Sequence, residues 1–482
     1  MTPPQFDSAR ADSALAPPPG CPAHQGLDAK GALPLFGPAY ESDPLRVFER
    51  LRAEHGAVAP VRLIGDLPGW LVLGYREILE VVRTPTRFSH DSRHWHMLKE
   101  GRVPPDNPLL PIIGWNPDRM TADGDDHRRM RDATTQCLDR FDRRGLRRHV
   151  IRFTNQLADA FSAEGRADLV PQFSQQLPML VLTQLFGMPE ESGPRLVEAA
   201  IELVKGSEKA IAGSEYIKET LARLVARKRV DPGSDLATWL VEHPAGLSDT
   251  ELAGVLWLVL LAANENTSGL LASTLRMVLT DQRFRASLAG GQMTVPDAVE
   301  HVLWDDPPTT VVPARWATSD TELGGRPIKA GDMLLLGVAA GNIDPAVRPD
   351  LDAPMYGNRS HLSFSGGPHE CPGREIARAI VDTAIDALLV RLPDLHLAVD
   401  EDELGWRATT WTRQLTVLPA QFAPRRPIPE ASAQAALPAG QHQPLPQLEP
   451  AAPPAAPAPV QAAEPKARRP WWHPLTRWFR RR

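Results

Sequence analysis

One cysteine of the 482-residue chain sits where side-chain chemistry is to be expected. Cys371 lies within His361–Arg378, HLSFSGGPHECPGREIAR. Gly366 and Gly367 allow a tight turn and a close approach of backbone to a large ligand. Pro372 suits the first position of a helix, where no amide hydrogen is needed. Beyond it Ile376, Ile380, Val381, Ala384, Ile385, Leu388 and Leu389 recur at helical spacing. Cys371 is thus expected where an irregular loop enters a helix, and free N–H groups at the positive helix end favour a thiolate there. Such a thiolate is a nucleophile or a metal ligand; the plain alternative is a buried cysteine at a helix start.

Two further stretches carry polar groups in telling places. Residues 123–138, DGDDHRRMRDATTQCL, spell a helix with an acidic start. His127 and Arg131 are four apart, so they share a face on which two cationic donors could clamp carboxylates. Arg128 and Arg129 are rivals of Arg131, and a solvated basic face is the plain alternative. Cys137 falls among apolar neighbours as core. Further on, Ser248-Asp249-Thr250-Glu251 forms a capping box that opens a helix running to about Thr280. Its first part, 252–263, is apolar all round, the mark of a helix buried in protein. The run is too short to span a membrane and ends in Asn264-Glu265-Asn266. A buried helix carries such residues for a site or as a polar kink bonded within the helix.

The order Phe364, Gly367, His369, Cys371, Gly373 resembles the haem-binding loop of the cytochrome P450 family, Phe-x-x-Gly-x-His-x-Cys-x-Gly. The resemblance implies a mainly α fold, a large helical domain with small β-sheets around a buried haem b. It makes Cys371 the axial iron ligand, whose sulfur favours O–O cleavage. Phe364 then packs beside the sulfur, and His127, Arg131, Arg315 and His369 hold the haem propionates. Ala262-Ala263-Asn264-Glu265-Asn266-Thr267 resembles the family's distal motif Ala-Gly-x-Asp/Glu-Thr. By the match Glu265 is the acid of the proton relay and Asn266 stands where threonine is usual. Thr267 comes one residue late, about 100° round the helix. Asn266 can hydrogen-bond to oxygen or water but relays a proton less easily than a hydroxyl.

A second departure lies upstream of the cysteine loop. The family's Glu-x-x-Arg, aligned through Pro308, falls on His301 and Trp304; a one-residue shift gives Glu300 but puts Leu303 at the arginine. Arg359, which resembles the usual third member, is then expected to lack its glutamate unless His301 accepts a hydrogen bond. The pattern resembles an atypical actinobacterial branch reading Glu-x-x-Leu-Trp. The implied activity is a haem-thiolate monooxygenase: NAD(P)H electrons arrive through a ferredoxin, and one oxygen atom of O2 enters an apolar small molecule. The alternative is a haem-binding sensor or accessory protein with impaired oxygen activation.

The remaining elements must position these groups. Helix is expected from Pro44 to near Gly56, strands over 57–63 and 70–73 around a Gly-Asp-Leu-Pro-Gly turn, and helix again over 75–82. By the resemblance, the loop from about 90 to 117 corresponds to the region that covers the distal haem pocket in the family. Residues 146–228 are helical with breaks near 187–194 and 206–213. Two strands and a turn follow Arg315, and a closing hairpin spans 406–422. Apolar residues make up 42% of the chain, enough for a large core. Three cysteines form no disulfide framework and fit a reducing, cytoplasmic setting. Much of the chain's 49-residue proline content falls near its two ends. Residues 1–35 are expected to be a disordered leader, 36–422 the haem domain, and 423–465 a disordered Pro/Ala-rich linker. Within 466–482 lie seven basic side chains and no acidic one, although the whole chain has a net charge of −6. An acidic body argues against nucleic acid as partner. The tail's Trp471, Trp472, Trp478 and Phe479 suit a peripheral contact with the inner membrane face or with a partner protein, against the plain alternative of a solvated tail.

Overall fold

Ser248 opens the element on which the fold is built. Its hydroxyl accepts from the Glu251 amide, Glu251 accepts from the Ser248 amide, and the helix then runs unbroken over Asp249–Thr280. This central helix packs against helices Leu177–Phe186, Ala210–Val230, Val295–Asp305 and Arg374–Arg391. The computed structural model describes residues 32–115, 123–281, 284, 294–351, 353, 355 and 357–427. The greater part of the expected leader, with Cys21, part of the loop 90–117, almost all of the linker and the whole basic tail lie outside the described residues. Among those described, the central helix alone is long and apolar enough to cross a membrane, but 72% of its most apolar stretch is buried in protein. It is a core helix.

Two layers flank it. The helical side has one large apolar core, to which helices Gly124–Leu138, Arg143–Phe161, Leu177–Phe186, Gly193–Lys205 and Ala210–Val230 all contribute. The β side is a six-stranded sheet in the order 33–34, 58–63, 67–72, 333–336, 312–317, 88–89. Strands 58–63 and 67–72 form an antiparallel hairpin, while 67–72 runs parallel to 333–336 with Trp70 opposite Leu334. Apolar side chains cover both faces of this sheet, so its strands read as near-continuous apolar runs.

Several boundaries differ from the sequence expectation. The hairpin turn is confined to Ile64-Gly65-Asp66, and Leu67–Gly69 belong to the second strand. Gly65 and Asp66 both hold positive φ, which turns the chain before the proline is reached. The helical stretch 146–228 is interrupted once more than its glycine pattern suggests, by a short strand at Arg166–Asp168. That strand pairs with Pro419–Gln421, so the expected closing hairpin ends at Leu415 and the last strand joins a separate sheet. Four short strands, not two, occupy the segment 312–336 around Arg315. Pro372 lies in a turn; the helix after the cysteine begins at Arg374, with Gly373 at its N-cap.

Candidate active site

A cavity of about 410 Å³ is lined by the central helix on one wall and by the cysteine loop and the helix after it on another. All eight residues singled out in the sequence line it: His127, Arg131, Glu265, Asn266, Arg315, Phe364, His369 and Cys371. Leu182, Phe186, Trp257, Leu261, Val311 and Trp411 make most of the remaining wall apolar.

The cysteine loop is fixed from within. The Cys371 amide donates to the Phe364 carbonyl at 3.0 Å, closing the loop on itself. Gly367 has a φ of 66° and packs so tightly that a Cβ there would lie 2.1 Å from the Val82 carbonyl oxygen. No other residue type fits that turn. Burial pushes the Cys371 thiol up, against the Gly373 amide and the Arg131 charge, which favour thiolate.

One end of the cavity gathers imidazoles and guanidiniums. His127 and His369 have ring centroids 3.9 Å apart, and His90 stacks on His369 at 4.6 Å. Asp123 accepts from His369 Nε2 (3.0 Å), from the Ser89 hydroxyl (2.5 Å) and from the His90 amide (2.9 Å). Burial opposes its ionisation, but these donors hold its pKa below the usual carboxylate value. His127 is driven down to about 4 by burial, helped by His369 and Arg131. Arg315 is 3% exposed and donates to the Pro313 and Ala314 carbonyls. Burial lowers it to about 10, so it keeps its charge. The rivals of Arg131 are accounted for: Arg129 pairs with Glu251 and Arg128 with Asp125, while Arg131 donates to the Glu370 carbonyl.

On the central helix Ala262 and Ala263 leave the wall low. Glu265 is buried, and burial raises it to about 6 against the pull of Arg407 and Lys205. Its Oε1 has no hydrogen-bond partner among the described residues. Asn266 is bonded at both ends: its Nδ2 donates to the Ala262 carbonyl (2.8 Å), and its Oδ1 accepts from the Thr309 hydroxyl (2.5 Å). The bond within the helix and the contact with Thr309 thus belong to one arrangement. Gly269 makes it geometrically feasible, since a Cβ there would lie 2.6 Å from the Pro308 side chain. Thr267 lines the cavity too.

Upstream of the loop, the expected isolation of Arg359 is corrected. Arg359 Nε lies 3.7 Å from Glu300, and His301 pairs with Asp305 instead. Glu300 is 7% exposed and is held by Arg378. Sequence reasoning missed His90, Asp123, Thr309 and Arg378. None shares a periodic spacing with the group it meets; only the fold brings these residues together.

Comparison with known proteins agrees with the geometry. No family model matches the chain. It is 32% identical over 368 residues to a 2-hydroxy-5-methyl-1-naphthoate 7-hydroxylase of Streptomyces carzinostaticus, covering 74% of this chain and 89% of that protein. It is 29% identical to the polyketide biosynthesis cytochrome P450 PksS of Bacillus subtilis, covering 80% and 98% respectively. Among solved structures, CYP154C4 from Streptomyces sp. ATCC 11861 superposes with a TM-score of 0.74 at 27% identity, over 82% of this chain and 99% of that one. The chain belongs to the cytochrome P450 family. It is an enzyme of the monooxygenase class, and haem is its cofactor.

The residues present fit that cofactor. Among the described residues no ion pair involves Arg315, a buried cation whose hydrogen bonds go to backbone carbonyls. With Arg131 and His369 beside it, this end of the cavity has donors to spare for the carboxylates of a large apolar ring system. A sulfur stands in one wall and alanines in the other.

Proposed function

We propose that this cytochrome P450 inserts one oxygen atom from O2 into an apolar small molecule, with NAD(P)H electrons delivered by a ferredoxin-type protein. The position of Cys371 supports this: a single sulfur in the wall of an apolar cavity, facing small residues and flanked by carboxylate-binding groups. In this reading Cys371 is the protein ligand to iron, and Phe364 packs beside the sulfur. His127, Arg131, Arg315 and His369 hold the propionates. The haem, when bound, supplies the activation of O2 and its transfer to substrate.

The chain's own residues then do three things. The apolar wall formed by Leu182, Phe186, Trp257 and Leu261 selects an apolar substrate and excludes water. Glu265, raised to about 6, holds or releases a proton near neutral pH at the oxygen-facing wall. Asn266 keeps that wall shaped by bridging Ala262 and Thr309. Because the Asn266 amide is spent on the protein itself, a second reading is favoured by a specific observation: a haem-binding sensor or accessory protein with weakened oxygen activation.

In this reading the chain is one of the branch that lacks Glu-x-x-Arg, which the run Glu300-His301-Val302-Leu303-Trp304 supports. The protein is taken as cytoplasmic, with residues 466–482 making a reversible contact with anionic lipid through basic and aromatic side chains. Sedimentation with anionic vesicles checks that contact; equal binding by full-length protein and a chain ending at Glu464 rules the tail out.

Reconstitution with a ferredoxin, its reductase and isotopically labelled O2 tests the activity. An apolar compound that perturbs the haem absorption should gain one labelled oxygen. If every such compound is recovered unchanged while NAD(P)H is consumed, the accessory reading is the correct one.

A further inference from the structure

The helix Val295–Asp305 carries a buried glutamate but no arginine to match it. Three residues after Glu300 stands Leu303, and the arginine position aligned through Pro308 is Trp304. A carboxylate only 7% exposed and without a partner is costly to fold. The partner comes from elsewhere in the chain. Arg378, seven residues past Cys371 on helix Arg374–Arg391, reaches back with Nε to Glu300 Oε1 at 2.5 Å and Nη2 to Oε2 at 3.1 Å. This is the two-pronged geometry in which arginine binds carboxylate most firmly. Arg378 itself is 6% exposed.

The same guanidinium touches the cysteine loop. Its central carbon lies 4.8 Å from the centroid of the Phe364 ring, and the Phe364 carbonyl receives the Cys371 amide at 3.0 Å. His361 completes the cluster. Its Nδ1 accepts from the Ser363 amide (3.2 Å), and its Nε2 lies 3.3 Å from Glu300 Oε2 and 3.2 Å from Arg378 Nη2. Trp304, in the arginine's place, holds the same segment differently. Its indole N–H donates to the Asn358 carbonyl at 2.7 Å, and its ring meets His361 edge-on at 5.9 Å. Arg359 is 58% exposed at its side chain and 3.7 Å from Glu300, so solvent screens its share.

We propose that Arg378 is a positioning residue for the haem-ligating loop. From the helix that follows the cysteine it ties a buried carboxylate on the preceding helix to the loop, where that preceding helix has no arginine of its own. One side chain would then couple the Glu300 carboxylate to the Phe364–Cys371 turn, so that absence of Glu-x-x-Arg does not loosen the sulfur. This rests on the assignment of Cys371 as iron ligand.

The test uses full-length, haem-loaded protein and two readouts: the thermal midpoint, and the ferrous carbonyl absorption that distinguishes thiolate from other ligation. Arg378→Met should lower the midpoint by roughly 5 °C and move much of the carbonyl absorption from the long-wavelength band to the short-wavelength one. Glu300→Gln/Arg378→Met should recover most of the midpoint, because no buried charge is left unpaired, but not the band. Arg378→Lys, which keeps the charge and loses the fork, should fall between wild type and Arg378→Met in both. If Arg378→Met keeps the wild-type band, or the double variant restores it, Arg378 is structural only and the proposal fails. If Arg378→Met does not fold, Arg378→Lys decides: a wild-type band and midpoint there overturn the proposal. A wild-type protein that never shows the long-wavelength band refutes the ligand assignment instead, a separate outcome.

Discussion

In the proposed reading the two walls of the cavity, the Cys371 loop and the central helix, each lack a residue type that the family pattern supplies, and they respond in opposite ways. On the cysteine side the helix before the loop has no arginine, and its buried Glu300 is paired by Arg378 from another helix. On the oxygen side the missing item is a hydroxyl, and Asn266 turns inward to Ala262 and Thr309. The difference is energetic. A buried carboxylate without a partner costs several kcal/mol, so the fold is under strong pressure to pair it. A missing hydroxyl costs the fold nothing, provided the group that replaces it finds its own hydrogen bonds. Stability thus maintains the first wall, whereas chemistry alone selects for the second.

The largest effect that could break this contrast is on the cysteine side. Glu300→Ala should cost about 3 kcal/mol, because it leaves the buried Arg378 guanidinium with only the half-exposed Glu375, 3.3 Å away, as its carboxylate partner. Denaturant unfolding measures it, and a loss no larger than that of an exposed pair would deny the cluster its role. The same carboxylate sets a pH dependence. Burial raises its pKa, but hydrogen bonds from His361 and Arg378 outweigh that and hold it at about 2, against 4.5 for an unperturbed Glu. Its stabilisation is present in full above pH 4.5 and is lost as pH falls toward 2, about 3 kcal/mol in all. The stability difference between wild type and Glu300→Gln, followed from pH 6 to pH 2, should shrink across that window.

On the oxygen side the signs reverse. Glu265 is raised from 4.5 to about 6, so the folded protein favours the protonated acid. The cost of burying its charge is absent below pH 4.5, grows as pH rises through 6, and levels at about 2 kcal/mol. Glu265→Gln should therefore be more stable than wild type at pH 8 and equal to it at pH 4, while losing turnover. Thr309→Val removes a single hydrogen bond to Asn266 and should cost about 1 kcal/mol. Asn266→Thr should leave stability within that range but raise the fraction of reducing equivalents that reach product. If coupling does not change while Glu265→Gln abolishes turnover, Asn266 is not the limiting group.

The same contrast explains what the sequence could convey. Cys371, Phe364 and His369 sit within a few residues of one another, so a local motif carried the loop. The central helix was legible from end to end because its capping box and apolar run are local signals. Helical spacing put His127 and Arg131 on one face, and both line the cavity, but the burial and the His369 ring that lower His127 come from other elements. Arg378 was invisible as Glu300's partner, since 78 residues separate them and neither spacing nor composition links them. Asp123 and His90 join the cluster for the same non-local reason. The strand at Arg166–Asp168 is only three residues long and exists through its pairing with Pro419–Gln421. A segment that short has no periodicity of its own.

The absorption spectrum of the reduced, carbon monoxide-bound full-length protein tests most directly whether a haem is held at Cys371 by an intact proximal wall. The account predicts the long-wavelength carbonyl band of thiolate ligation in the wild type, and its disappearance in Cys371→Ala. A short-wavelength band in intact wild-type protein, or an unchanged long-wavelength band in Cys371→Ala, would contradict it.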